Sequence, residues 1–177
     1  LQTYIERDIR TLRAIENLRS FSGFLGLCAG RTGQLLNLTS LANDAGISVN
    51  TAKAWLSLLE ASYIILLLQP YHRNFNKRII KAPKLYFYDT GIASSLLRIQ
   101  DPGMLSGHYL VGALFENLVI SELIKSMVHQ GKRPLIWYWR ESNGREIDGI
   151  IESEGNRIDA IEIKGGQTYN NDYLKNL

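Results

Sequence analysis

The sequence predicts an α+β protein with two modules, the first over residues 1–110 and the second over residues 111–177. Apolar residues at helical spacing dominate the first module, which ends in two short apolar runs, whereas the second has one apolar helix followed by β-branched segments. The charge changes as well, because 12 basic and 7 acidic residues precede residue 111 while 8 basic and 10 acidic residues follow. We therefore expect the two modules to have different roles.

The composition excludes several classes of protein. Hydrophobic residues make up 45% of the chain and charged residues 21%, as in packed globular proteins. The single cysteine, Cys28, excludes an internal disulfide and a zinc site built on cysteines, and it fits a reducing, cytoplasmic compartment. The longest purely apolar run, residues 64–68, is far shorter than the roughly 20 residues that span a membrane, so no membrane partner is expected.

The chain opens with two predicted helices. Apolar residues at helical spacing favour an amphipathic helix over residues 1–20 and a second helix over residues 20–29. The glycines at 30–33 lack the spacing and the lysine of a phosphate-binding loop, so no ATP site is expected here.

Residues 38–60 predict two short helices in a helix-turn-helix arrangement. Thr39 or Ser40 is expected to cap the first helix, Gly46 to end it, and Ser48 to cap the second. The residues of the second helix predicted to face inward are Val49, Ala52, Trp55, Leu56 and Leu59.

Two apolar strands, predicted at 63–71 and 85–89, flank a basic connection at 72–84. A helix-turn-helix followed by such a hairpin predicts a winged helix whose cations contact the phosphates of DNA or another nucleic acid. The candidate nucleic-acid-binding residues are Arg73, Lys77, Arg78, Lys81 and Lys84 in the wing, and Asn50, Thr51 and Lys53 at the start of the second helix. A protein-docking module with a solvated basic turn is the alternative interpretation.

The second module begins with a predicted apolar helix over residues 112–128. On a helical wheel Glu116 falls in the middle of the apolar arc. A carboxylate on an apolar face is unfavourable unless a cation, a metal or a hydrogen-bond donor meets it, so Glu116 is a candidate functional residue or a structural salt-bridge partner.

Three further segments, at 135–140, 145–153 and 157–164, predict an antiparallel β-meander. Asp148 lies in the second strand, while Glu162 and Lys164 share one face of the third. The pattern Asp148…Glu162-Ile163-Lys164, with 13 residues between the acids, resembles the PD-(D/E)XK nuclease site.

That resemblance implies a metal-dependent site. Asp148 and Glu162 would hold Mg²⁺ or Mn²⁺, Glu116 would complete the metal cluster, and Lys164 would orient or help deprotonate the attacking water. The alternative is a structural ion-pair cluster in a degenerate nuclease fold, although two carboxylates against one lysine favour a further cation.

Longer stretches of the chain, among them YIERDIR, GRTGQLLNLTSLANDAGIS, GALFENLVISEL, WYWRESNGREIDGIIE and IEIKGG, resemble the domain of unknown function 4143 family over roughly residues 1–170. This domain follows an AAA-type ATPase module in many prokaryotic proteins. The resemblance implies an upstream ATPase module that binds ATP and is missing from this chain, a winged helix, and a nuclease-like sheet that is truncated or incomplete after residue 177. Two functions are compatible with it: a metal-dependent nuclease-like domain, or a non-catalytic regulatory module that binds DNA or protein.

Overall fold

The computed structural model describes residues 17–71, 82–141, 144–153 and 157–166. Within these ranges it contains six helices and five strands, and this mixture agrees with the predicted α+β class. The elements are α1 (Leu18–Ala29), α2 (Leu38–Asp44), α3 (Val49–Ala61), β1 (Ile65–Leu68), β2 (Lys84–Phe87), α4 (Thr90–Leu96), α5 (Pro102–Ser106), α6 (Val111–His129), β3 (Ile136–Arg140), β4 (Glu146–Ser153) and β5 (Arg157–Ile161). Helices in the described ranges are all too short or too polar to cross a membrane. The helix predicted over residues 1–16 and most of the basic connection, 72–81, lie outside the described residues.

The predicted helix pair at 38–60 is present as α2 and α3, with one cap assigned wrongly. The Asn37 side chain accepts a hydrogen bond of 3.0 Å from the Ser40 amide, so Asn37 caps α2 and the predicted caps lie inside its first turn. Ser48 caps α3 as predicted, since its Oγ accepts from the Thr51 amide at 3.0 Å. Gly46 has a φ of +64°, the left-handed conformation in which glycine is least strained.

Helices α1 and α3 pack against each other through aromatic side chains. Phe21 and Phe24 of α1 contact Trp55 of α3 edge to face, with ring centroids 5.2 and 5.4 Å apart. Four of the five residues predicted to face inward on α3 are buried, whereas Val49, at the exposed first position of the helix, is 41% exposed. Leu114 of α6 belongs to the same core, so this core extends beyond residue 110.

The five strands form two antiparallel sheets that meet at one bridge. β1 pairs with β2, and β3, β4 and β5 form the predicted meander. Pro70 forms a parallel bridge to Tyr138 in β3, and the Tyr71 amide donates a hydrogen bond of 2.6 Å to the Tyr138 carbonyl. The hairpin is therefore joined to the meander.

A second apolar core lies under α6 and holds the two sheets together. It consists of Leu66, Leu68, Tyr86, Ile120, Ile124, Ile136 and Tyr138. Because α6 packs against both sheets, the first residue of β2 comes close to the first residues of β4. This proximity creates the candidate site.

Candidate active site

Asp148, Glu162 and Lys164 lie together where β5 ends beside the first residues of β4. Asp148 is 7% exposed, and its Oδ2 accepts a hydrogen bond of 2.8 Å from the Ile163 amide. The Lys164 ammonium is 2.6 Å from Glu162 Oε1 and 4.0 Å from Asp148 Oδ2. The predicted convergence of the two acids and the lysine is therefore present in the structure.

The third predicted strand is shorter than expected, and two of the predicted site residues lie beyond its end. β5 ends at Ile161, so Glu162 and Lys164 follow the strand instead of lying in it. Since the Ile163 amide donates to the Asp148 carboxylate, the chain after β5 is fixed by a side chain and not by a strand ladder.

Glu116 reaches the same region from the second turn of α6. Its Oε1 accepts hydrogen bonds from the Lys84 ammonium at 2.6 Å and from the Tyr86 hydroxyl at 2.5 Å. Glu116, Glu146 and Asp148 each have one ligand oxygen within 4.8 Å of the others. All four predicted catalytic residues thus belong to one continuous polar cluster, but among the described residues Glu162 is not in the group of three carboxylates, in which Glu146 stands beside Glu116 and Asp148.

Lys84, one of the predicted nucleic-acid-binding residues, is buried in this cluster instead of being exposed on a wing. Its side chain is 3% exposed, and its Nζ is 2.6 Å from Glu116 Oε1, 2.5 Å from Glu146 Oε1 and 4.0 Å from Asp148 Oδ1. Lys84 is the first residue of β2, two positions before Tyr86, so the pleat directs both side chains toward α6 and β4.

The other predicted nucleic-acid-binding residues fall into two groups. Asn50 and Lys53 are exposed at the start of α3, and Thr51 is half-buried. The Thr51 hydroxyl is 2.8 Å from the Ser48 hydroxyl, within the cap of the helix. The wing residues Arg73, Lys77, Arg78 and Lys81 lie outside the described residues.

Sequence reasoning missed three members of the cluster, namely Glu146, Tyr86 and Arg140. Glu146 is two residues before Asp148 in β4, so strand periodicity would have placed both carboxylates on one face. Arg140 is the pairing partner of Glu146 in β3, and its Nη1 is 3.0 Å from Glu146 Oε2. This pairing was not evident, since it depends on the register of the two strands.

Burial and charge perturb the ionisation of the cluster. Burial raises the pKa of Glu116, although the Lys84 ammonium and the Tyr86 hydroxyl oppose this effect. Burial alone would lower the pKa of Lys84, but the carboxylates of Glu116 and Glu146 outweigh it and raise the pKa, so the ammonium stays charged. Burial and the Glu116 carboxylate raise the pKa of Tyr86, which keeps the phenol protonated as a donor.

Lys164 is also held in its charged form. Burial opposes ionisation of its ammonium, but the hydrogen bond to Glu162 and the charge of Asp148 raise its pKa above the ordinary value. A protonated lysine donates hydrogen bonds and stabilises negative charge, and it is a poor general base. Of the two roles predicted for Lys164, its environment favours orientation of water over deprotonation of water.

The donor set suits a hard divalent cation. Mg²⁺ and Mn²⁺ prefer oxygen ligands, and Asp148 and Glu162 supply carboxylate oxygens. Glu162 Oε2 is buried and has no hydrogen-bond partner among the residues that the structure describes. A buried oxygen of this kind is unfavourable unless a donor or a cation meets it, so Asp148 and Glu162 fit a metal ion.

Comparisons with known proteins assign both parts of the chain to families without a known function. Residues 1–103 match the model of a domain of unknown function, DUF8612, and residues 111–177 match that of another, DUF4143. The resemblance predicted from the sequence is confirmed for the second range, while the first range matches a separate family.

Two uncharacterized proteins, one from Mycobacterium bovis and one from Mycobacterium tuberculosis, are each 30% identical over 168 residues. The matched region covers 95% of this chain and 37% of each relative, so the chain spans less than half the length of these curated relatives. No solved structure matches the chain. The chain belongs to the DUF8612 family and continues into a DUF4143 domain.

Proposed function

We propose that this chain carries a Mg²⁺- or Mn²⁺-dependent site that cleaves phosphodiester bonds of nucleic acid. One observation carries the proposal: the Lys164 ammonium lies 2.6 Å from Glu162 and 4.0 Å from Asp148, and Glu162 Oε2 is left buried without a hydrogen-bond partner in the described chain. That combination matches what a PD-(D/E)XK nuclease needs, namely two hard ligands, a lysine and a position for a cation.

In the proposed site Asp148 and Glu162 hold the divalent ion. When bound, the ion would supply Lewis-acid stabilisation of the phosphate and a more acidic water. The Ile163 amide keeps the Asp148 carboxylate in one orientation through its 2.8 Å hydrogen bond. The charged Lys164 ammonium stabilises the negative charge that develops on the phosphate. Glu116 supports the cluster from α6 through its contacts with Lys84 and Tyr86.

The test is a cleavage assay with the full-length protein on labelled single- and double-stranded DNA and RNA, with Mg²⁺ or Mn²⁺. We expect cleavage that falls by at least about 100-fold in Asp148→Asn and in Glu162→Gln. Glu122→Gln is the matched control, because Glu122 lies on α6 with an exposed side chain paired to Lys125. Folded full-length protein that leaves every substrate intact with either metal would exclude the proposal.

A second candidate is a non-catalytic module that binds DNA or a protein and regulates an AAA-type ATPase module of the same polypeptide. The ion pairs of Lys84 with Glu116 and Glu146 favour it, because they neutralise part of the cluster without a metal. The exposed Asn50 and Lys53 at the start of α3 would then be a contact surface.

DNA binding measured over a range of salt concentrations tests this candidate. Neutralising any one of Arg73, Lys77 and Arg78 should reduce the slope of log K against log salt by about 1, because one phosphate then keeps its counterion. Asp148→Asn should leave the slope unchanged if the carboxylates have only a structural role. Absence of DNA binding even at low salt would instead favour a protein partner.

A further inference from the structure

We propose that the Lys84 ammonium takes the place of a second divalent cation in the carboxylate cluster, so that the site binds one metal ion, at Asp148 and Glu162. The inference deepens the proposed function, because it sets the number of ions that the site uses. It also assigns the fixed cation to the part of the chain that precedes the DUF4143 domain, since Lys84 lies within residues 1–103.

The Asp148 carboxylate faces two neighbouring positions. Its Oδ2 points toward the Ile163 amide and the Lys164 ammonium, whereas its Oδ1 is 4.0 Å from Lys84 Nζ. A carboxylate shared in this way is typical of two-metal sites, in which the ions are about 3.5–4 Å apart. In this protein the position beside Oδ1 is filled by a side chain.

The ligands around that position are those that a metal would use. Glu116, Glu146 and Asp148 offer oxygens that lie within 4.8 Å of one another. Lys84 Nζ is 2.6 and 2.5 Å from the first two of these carboxylates. A divalent ion at this point would have to displace the ammonium from its closest contacts.

The Lys84 side chain has little freedom to leave. Lys84 pairs with Leu68 in the β1–β2 register and is 2% exposed as a whole residue. Its Nζ lies 5.8 and 5.9 Å from the ring centroids of Tyr86 and Tyr138, at distances where aromatic faces attract a cation. The ammonium is therefore buried within the site and is not a surface group.

The experiment counts bound Mn²⁺ in the nucleotide-free full-length protein by equilibrium dialysis and electron paramagnetic resonance. We expect one Mn²⁺ in the unmodified protein and one more in Lys84→Met. Adding Glu146→Gln to Lys84→Met should remove the additional ion, whereas Glu162→Gln alone should remove the ion of the unmodified protein. Lys125→Met is the matched control, a lysine of α6 paired with Glu122 at the surface, and should not change the count.

The results separate this inference from the proposed function. An unmodified protein that binds no Mn²⁺, together with a Lys84→Met variant that binds one, supports the role of Lys84 and rejects the metal site at Asp148 and Glu162. Equal numbers of bound ions in the two proteins overturn the inference. If Lys84→Met does not fold, Lys84→Gln in millimolar Mn²⁺ replaces it. Failure of both variants to fold in Mn²⁺ also overturns the inference, because a metal would then be unable to replace the ammonium.

Discussion

Replacing Lys84 by methionine should strongly destabilise the metal-free protein. The substitution keeps an unbranched side chain but leaves the carboxylates of Glu116 and Glu146, with side chains 16% and 23% exposed, without their shared cation. Removing one partner of a buried ion pair costs roughly 3–5 kcal/mol. Because Glu116 keeps the Tyr86 hydroxyl and Glu146 keeps Arg140, we expect the lower end, about 3 kcal/mol.

The assay is urea unfolding at neutral pH in a metal chelator, followed by tryptophan fluorescence. The control is Lys125→Met, which removes a partly exposed i,i+3 pair and should change the free energy of unfolding by less than about 1 kcal/mol. Combining Lys84→Met with Glu116→Gln should recover part of the stability, since a neutral amide no longer needs the ammonium. A destabilisation below about 1 kcal/mol for Lys84→Met would refute the buried cluster described above.

Three further predictions concern other parts of the fold. Asn117→Ala should lower the free energy of unfolding by about 2–4 kcal/mol, because the buried Asn117 side chain accepts a hydrogen bond from the Phe87 amide and donates one to the Phe87 carbonyl, both at 2.7 Å. A decrease under about 1 kcal/mol in urea unfolding would contradict this prediction. The pKa values of Lys84 and Tyr86 are raised, so the stability that these groups contribute is present below their ordinary pKa values of 10.5 and 10.0 and is lost as pH rises above them. In Tyr86→Phe the free energy of unfolding should therefore decrease less steeply at alkaline pH than in the unmodified protein. An identical decrease in the two proteins would contradict this prediction. Gly46→Ala should lower the free energy of unfolding by about 1–2 kcal/mol through the positive φ of this position alone, since an added Cβ meets nothing within 4 Å. Gly46→Asn should lower it less, and thermal unfolding of both variants checks this order.

Two of the four predicted catalytic residues were identifiable because they conflict with their local pattern, and the other two because their spacing resembles a known motif. Glu116 interrupts an apolar helical face, and Asp148 interrupts a strand rich in isoleucine. Glu162 and Lys164 have the spacing that places them on one side of the chain. Such conflicts are visible in a single sequence and require no knowledge of how distant segments pack.

Lys84 could not be placed in this way. It is the last residue of the basic connection at 72–84, which suggests a solvated turn, but its position depends on the β1–β2 register and on α6 packing across both sheets. The same limit applies to Arg140, whose partner follows from the β3–β4 register. The cap of α2 was missed for a local reason, since Asn37, Thr39 and Ser40 are all good capping residues and only the backbone conformation selects Asn37.

Diffraction from crystals of the protein soaked in Mn²⁺ tests the central claim most directly. We predict one anomalous peak, beside the carboxylates of Asp148 and Glu162, with the Lys84 ammonium still between Glu116 and Glu146. No peak beside Asp148 and Glu162, or a peak among Glu116, Glu146 and Asp148 with Lys84 displaced, would contradict the claim.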